Sequence, residues 1–303
     1  MSGYLIGGQL WKEYNLTHNI NYKQFFIKRS LRIWPLYYFL ILLFLIIRGP
    51  LNNNWLFSDL YFLSNYLPEG AIKGSWSLSI EEQFYLFFPL LLIMAGKLKF
   101  TIPKIRLGLI IFFLLAPLIR FYTLPNHNLV TISEVIKQIY YPFHTHPDGL
   151  LIGLILSSIN FNSNRLYNWK KVSLILIIFT LIFTLLRLKW KIYFNYSMIS
   201  LIFGTLLWLM IHYFPKDYKL PFAKIWETIA KLSFGIYLIH YQILKYLTPM
   251  FSKLFNGFPE AINYTLTSVL IFSITLLLSQ ITYSFLEKPS MNLRSKILKK
   301  LAL

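Results

Sequence analysis

The sequence predicts an all-α, polytopic bundle of membrane-spanning helices, with about eight full spans and part of another at the N-terminal end. Three observations carry that expectation. Apolar residues make up 56% of the 303 and mean hydropathy is +0.54, above ordinary soluble usage. Those residues fall in runs close to the length a helix needs to cross the hydrocarbon layer. The basic residues sit between the runs rather than along one face, which also argues against nucleic acid as the partner behind a net charge of +19. There is no cysteine, so disulfides and thiolate metal sites are excluded. Met1 opens directly on SGYLIGG, without the charged leader of a cleavable signal peptide.

In chain order, residues 1–11 read as the tail of a span, followed by apolar spans at 33–48, 76–96, 106–123, 146–160, 172–188, 196–214, 231–247 and 263–286. The 146–160 span is short and is expected to begin earlier, within 140–143. Pro35, Pro89, Gly153, Gly204 and Gly235 fall inside spans, where membrane helices tolerate them. Loops 12–32, 97–106, 163–171, 215–231 and 288–300 hold 21 of the 30 basic residues. The positive-inside rule makes those loops cytoplasmic and puts the C-terminus in the cytoplasm. Arg187, Lys189 and Lys191 break the pattern. One domain, 1–303, is expected; no linker, low-complexity tract or internal repeat is visible.

Charge is costly within a bilayer, so polar residues inside the spans are candidates for function. By orientation they form two groups. Glu81, Glu82, Arg120, His144, His146, Asp148 and His240 lie toward the outer face. Ser77, Glu81, Phe84 and Phe88 share one helix stripe, which turns Glu81 toward other helices. The competing reading is an ion pair of Glu81 with Arg120 that only locks packing. Lys28, Arg29, Arg32, Glu287 and Lys288 lie toward the inner face. Arg29 and Arg32, at i and i+3, project together and have the geometry to grip a phosphate; an ordinary positive-inside anchor is the competing reading. His18, His127 and His212 read as interfacial, and His240 as either a functional group or an interhelical hydrogen-bonding one. No HExxH, glycine-rich phosphate loop or GxSxG elbow is present, so no metal site is expected.

Five segments resemble the blocks of the acyltransferase-3 family of membrane O-acyltransferases, in the same order. They are FFIKRSLRIWPLYY (Phe25 to Tyr38), WSLSIEEQFYLFFPLLL (Trp76 to Leu92), HTHPDGLLIG (His144 to Gly153), LSFGIYLIH (Leu232 to His240) and ITYSFLEKP (Ile281 to Pro289). The resemblance implies that Arg29 and Arg32 hold an acyl-coenzyme A donor. It gives catalytic roles to Glu81, His144, Asp148 and His240, and places Trp76, Ser77, Tyr85, Arg120 and His146 on the substrate side. Tyr237, Glu287 and Pro289 become structural. It departs from the family in two ways. His146 stands where the family has an arginine two residues before the aspartate. SGYLIG (Ser2 to Gly7) matches the middle of the family's second helix, so the first helix, with its arginine and general-base histidine, is expected to have no counterpart here. A longer protein, an inactive remnant, or substitution by His144, His146 or His240 are the three ways to account for that base.

The implied function is transfer of an acyl group, acetyl in the first instance, from cytoplasmic acyl-coenzyme A to a hydroxyl of a cell-surface or lipid-linked glycan. A hydroxyl is a poor nucleophile at neutral pH and needs a positioned base. Acyl-coenzyme A acts as donor substrate, with no permanently bound cofactor. Membrane lipids and the glycan are the other partners, and the cytoplasmic (inner) membrane is the expected location. The alternative is a transporter that flips a lipid-linked sugar without chemistry, which also uses intramembrane charges but predicts repeats and broken helices.

Overall fold

The computed structural model describes residues 1–48, 53–67, 70–124, 131–159, 191–213 and 221–301, with 174, 175, 177, 178 and 181 between them. These residues form helices and turns, with no strand among the described residues. Five helical stretches are long and apolar enough to cross a membrane: Tyr22–Ile47, Ser75–Lys97, Ile102–Thr123, Ile192–Ile211 and Glu260–Lys300. They coincide with five of the expected spans, and the chain is an all-α, multi-pass membrane protein. The expected 172–188 span, the 163–171 loop, Arg187, Lys189 and His127 fall wholly or largely outside the described residues.

The helices are α1 (Ser2–Thr17), α2 (Tyr22–Arg48), α3 (Asn53–Leu60), α4 (Ser75–Lys97), α5 (Ile102–Thr123) and α6 (Ile132–Val135). After them come α7 (Asp148–Ser157), α8 (Lys191–Tyr213), α9 (Ala223–Leu254), α10 (Glu260–Thr282) and α11 (Lys288–Leu301). Wider π turns follow α6, at Ile136–Tyr140, and α10, at Tyr283–Glu287. Contacts divide the chain into two compact units, Met1–Ile20 with Leu86–Tyr218, and Asn21–Tyr85 with Lys219–Leu303.

In the first unit, α1 and α7 meet through Gly3 and Gly7 on one side and Gly153 on the other. A β-carbon on Gly153 would stand 2.6 Å from the Tyr4 amide nitrogen, and one on Gly3 would collide with the Leu150 carbonyl. These two backbones pack closely enough that only glycine fits. Trp11 Nε1 donates to the Leu154 carbonyl at 3.1 Å, and the Trp11 and Phe88 rings meet edge to face with centroids 5.5 Å apart. Arg106 at the start of α5 donates to the hydroxyl and carbonyl of Ser158 at 2.9 and 2.8 Å, and so holds the far end of α7. His18 ends α1 in the left-handed conformation (φ 50°), donates its amide to Tyr14 and stacks edge-on against that ring, a helix-ending role.

Two expectations change here. The 146–160 span does not begin within 140–143. Pro142 and Pro147 break the chain between the π turn and α7, and the helix starts at Asp148. At ten residues α7 is about 15 Å long, half of a bilayer's hydrocarbon thickness. The 288–300 segment, read as a loop, is helical and continues α10 through its π turn. Its charge had masked good helix formers (Met, Leu, Lys and Arg) in regular succession.

In the second unit, α9 packs on α10, and a β-carbon on Gly235 would lie 3.3 Å from both Ser279 and Thr282. The predicted 231–247 span lies inside α9, which is much longer, and the α9 face is half polar. Aromatic stacking joins α2 to the turn after α3: the Tyr37 and Phe62 rings lie 4.7 Å apart, with Phe62 itself at φ 53°.

Candidate functional site

The sites predicted from sequence fall into two clusters, one in each unit. In the first unit the centre is an ion pair. Arg120, near the end of α5, and Asp148, the first residue of α7, are both wholly buried and paired. Arg120 also donates to the Thr145 carbonyl at 2.7 Å, to the Ser197 hydroxyl at 3.1 Å and to the Tyr193 carbonyl. Ser197 closes the ring by donating to Asp148 Oδ1 at 2.6 Å. Every nitrogen of the guanidinium is therefore engaged, and one side chain fastens α5, the 141–147 turn, α7 and α8 together. Arg120 pairs with Asp148, which the local fold puts at the N-terminus of α7. Tyr193, Thr145 and Ser197 were not found from the sequence. Hydroxyls and backbone carbonyls carry no spacing signal, although Ser197 falls inside an otherwise apolar span.

His146 joins this cluster. Its Nδ1 lies 3.0 Å from the Tyr140 carbonyl, and its ring sits between those of Tyr140 and Tyr196, at 5.0 and 4.6 Å. The Arg120 guanidinium lies 5.6 Å from the centroid of the Tyr196 ring. The imidazole thus stands beside the Arg120 cation. His144 is exposed. Behind the pair, Leu124, Ile139 and Tyr193 form a buried core with Phe121, Val135 and Ile192 packed on it. An apolar cavity of about 460 Å³ opens nearby between α7 and α8, floored by Gly149, Gly153, Gly204 and Ser200. Apart from the Ser200 hydroxyl its lining suits hydrocarbon rather than a charged ligand.

The second unit brings together Arg29, Glu81, Glu82 and Tyr85. Tyr85 donates its hydroxyl to Glu81 Oε2 at 2.9 Å, one helical turn away. The Arg29 guanidinium lies 5.7 Å from the Tyr85 ring and 5.8 Å from the Phe25 ring, with Glu81 among its electrostatic neighbours. Trp34 Nε1 donates to Glu82 Oε2 at 3.1 Å. The expected separation of an inner basic group from an outer acidic one therefore fails for Glu81 and Glu82, which share a neighbourhood with Arg29. Phe84 and Phe88 on the predicted stripe are buried, and Ser77 and Glu81 are half-buried. Trp76 is half-buried in the first turn of α4.

Glu287 ends the π turn after α10, 5% exposed, with Arg32 as its charged neighbour. Among the described residues its Oε1 has no hydrogen-bond donor, and neither has Oε1 of Glu82. Each leaves a buried acceptor for a proton or a ligand donor to satisfy. Pro289 is exposed in the first turn of α11. His240 directs Nδ1 to the Tyr237 and Ile236 carbonyls of its own helix, at 2.7 and 3.0 Å. With the proton assigned to Nδ1 by those carbonyls, Nε2 carries the lone pair.

A third cluster in this unit was not anticipated. Asp59, on the short helix α3, is wholly buried, accepts from the Ser75 hydroxyl at 2.9 Å and the Ile72 amide at 3.3 Å, and lies against the Tyr37 hydroxyl at 3.4 Å. Burial pushes its carboxyl above the usual range, and these donors only partly offset that. Ser75 passes the network to Ser64 at 2.9 Å, and Ser64 passes it to Ser79 at 2.8 Å. From α9, Tyr237 donates to the Gly74 carbonyl at 2.7 Å and Gln242 to the Ala71 carbonyl at 3.2 Å. The segment leading into Trp76 is thus pinned from both sides, which gives Tyr237 a structural part.

The family model described as an acyltransferase domain, acyltransferase family 3, matches residues 1–284. The chain is 28% identical to the O-acetyltransferase OatA of Staphylococcus aureus (strain NCTC 8325 / PS 47), over 95% of this chain and 51% of that protein. It is 26% identical to the putative peptidoglycan O-acetyltransferase YrhL of Bacillus subtilis (strain 168), over 95% of this chain and 49% of that one. The chain thus spans about half the length of the curated relatives it matches. No solved structure matches it. Matched by the family model from its first residue through the end of α10, and carrying five of the family's blocks in order, the chain belongs to acyltransferase family 3.

Proposed function

We propose that this chain is the membrane-embedded core of an O-acyltransferase, moving an acyl group, acetyl in the first instance, from cytoplasmic acyl-coenzyme A to a hydroxyl of a cell-surface or lipid-linked glycan. The observation that carries the proposal is the meeting of Arg29 with the Tyr85–Glu81 pair inside the family-matched region. A cation suited to donor phosphates and a carboxylate suited to acid–base work then share one neighbourhood. The names of the S. aureus and B. subtilis relatives support acetyl as the group moved.

In the reaction the acceptor oxygen attacks the thioester carbonyl carbon. A C–O bond forms, the C–S bond breaks, and the hydroxyl proton passes through a protein base to the departing thiolate. His240 suits the base by its free Nε2, and Glu81 by its place beside Arg29. Arg120–Asp148 is suited to holding the first unit rigid, since every guanidinium nitrogen and both carboxylate oxygens are engaged within the protein.

The test is incubation of membranes bearing the full-length protein with labelled acetyl-coenzyme A. Label in glycan, lost in Glu81→Gln and in the Arg29→Ala/Arg32→Ala double variant, is the expected result. Glycan translocation without label would favour transport instead. Undiminished labelling in the arginine variant would remove the donor half of the proposal.

A further inference from the structure

We propose that Arg294, on α11, completes with Arg29 and Arg32 a three-guanidinium site for a ligand that carries at least two phosphate groups. The family model ends at residue 284, so α11 lies beyond the matched region, and no motif in the sequence singles Arg294 out.

The case begins with how α11 is held. It packs on α2, and the Ser290 hydroxyl donates to the Leu31 carbonyl, which lies between Arg29 and Arg32. One turn further along α11 comes Arg294, half-buried. Arg29 accordingly has both Arg32 and Arg294 among its electrostatic neighbours.

The second step concerns what these cations lack. Among the described residues Arg32 and Arg294 make neither a hydrogen bond nor a close ion pair, whereas Arg120 in the other unit has every guanidinium nitrogen engaged. Glu287 is an electrostatic neighbour of Arg32 without being a close ion-pair partner. Like charges gathered on packed helices repel, and a fold that keeps them together leaves room for an anion to offset the repulsion. Guanidinium forks match phosphate oxygens two at a time, so three of them serve a di- or polyphosphate better than a single carboxylate.

Two sources supply that chemistry: the phosphates of a nucleotide thioester, in which case this inference rests on the function proposed above, or the headgroups of anionic lipids at the membrane surface. The test uses the full-length protein in nanodiscs and desulfo-coenzyme A as an unreactive probe, in phosphatidylcholine and in phosphatidylcholine with cardiolipin. Arg294→Ala is expected to weaken probe binding about tenfold in phosphatidylcholine, with Arg294→Lys recovering part of the loss. The Lys299→Ala/Lys300→Ala variant, which removes exposed charge from the same helix, is expected to leave it unchanged. If Arg294→Ala instead leaves the probe alone but reduces retention of cardiolipin, a lipid with two phosphates, the site is a lipid-phosphate site and the inference stands. If Arg29→Ala and Arg32→Ala weaken the probe while Arg294→Ala changes neither probe nor lipid binding, the inference falls and the donor reading survives. If no arginine variant changes either, both fall.

Discussion

The Arg120–Asp148 pair gives the sharpest stability prediction. Both side chains are wholly buried, and the guanidinium also serves the Thr145 and Tyr193 carbonyls and the Ser197 hydroxyl. Arg120→Met leaves a buried carboxylate with only the Ser197 hydroxyl as donor, and takes the guanidinium away from the Thr145 and Tyr193 carbonyls. Asp148→Leu leaves a buried guanidinium with neutral acceptors alone. Removing one partner of such a pair costs about 3–5 kcal/mol, which lowers the unfolding midpoint by roughly 10 °C. In the double variant the uncompensated charge disappears and hydrophobic side chains face each other, so it should be more stable than either single variant. Arg120→Lys keeps the charge but cannot reach four acceptors with one ammonium, and should recover less than half of the loss. The assay is thermal unfolding of purified protein in one detergent, followed by tryptophan fluorescence, as a double-mutant cycle. Single-variant losses that simply add, within about 0.5 kcal/mol, would show that the two charges are not coupled and would refute the reasoning.

Other consequences are equally direct. Gly153→Ala should destabilise the first unit by at least 1–3 kcal/mol, roughly, because its new methyl meets the Tyr4 amide rather than a yielding side chain. Gly108→Ala, in the open on α5, should be neutral or stabilising by about 0.5–1 kcal/mol, and the two unfolding midpoints should move in opposite directions. Asp59→Ala should free the 70–75 segment, read as faster amide exchange at Ile72 and Ser75, and cost about 2–4 kcal/mol. Burial raises the folded carboxyl of Asp59 above its unfolded value near 4, so the protonated form is the one the fold favours. Its contribution is full below that value and is lost as pH rises through the folded pKa, so the advantage of wild type over Asp59→Asn should shrink across that window. Tyr237→Phe should lose the hydrogen bond to Gly74, about 1 kcal/mol, with no change in probe binding.

How much of this was legible in the sequence depends on what each signal measures. Apolar runs report burial in lipid, and the five long helices follow from them. They report poorly where lipid is not the neighbour: α7 is too short to span, and α9 presents too polar a face. The family blocks located Arg29, Glu81, Asp148 and His240, yet could not say which helices meet. The error over Glu81 has a traceable cause. Lys23, Lys28, Arg29 and Arg32 made residues 22–32 look like an interfacial loop, so α2 was expected to begin at residue 33. In fact the helix runs from Tyr22, and the basic residues ride on its first three turns. That extra length carries Arg29 up to Tyr85 and sets Trp34 opposite Glu82. Asp59 was invisible for a different reason: its partners are serines, a tyrosine and a backbone amide, residue types found everywhere, and only the turn between α3 and α4 collects them. Charge pattern therefore indicates which residues pay to be in the membrane, while helix start and register decide what each one meets there. For α2 and α4 that register makes the difference between an anchor at the membrane surface and a guanidinium beside a carboxylate.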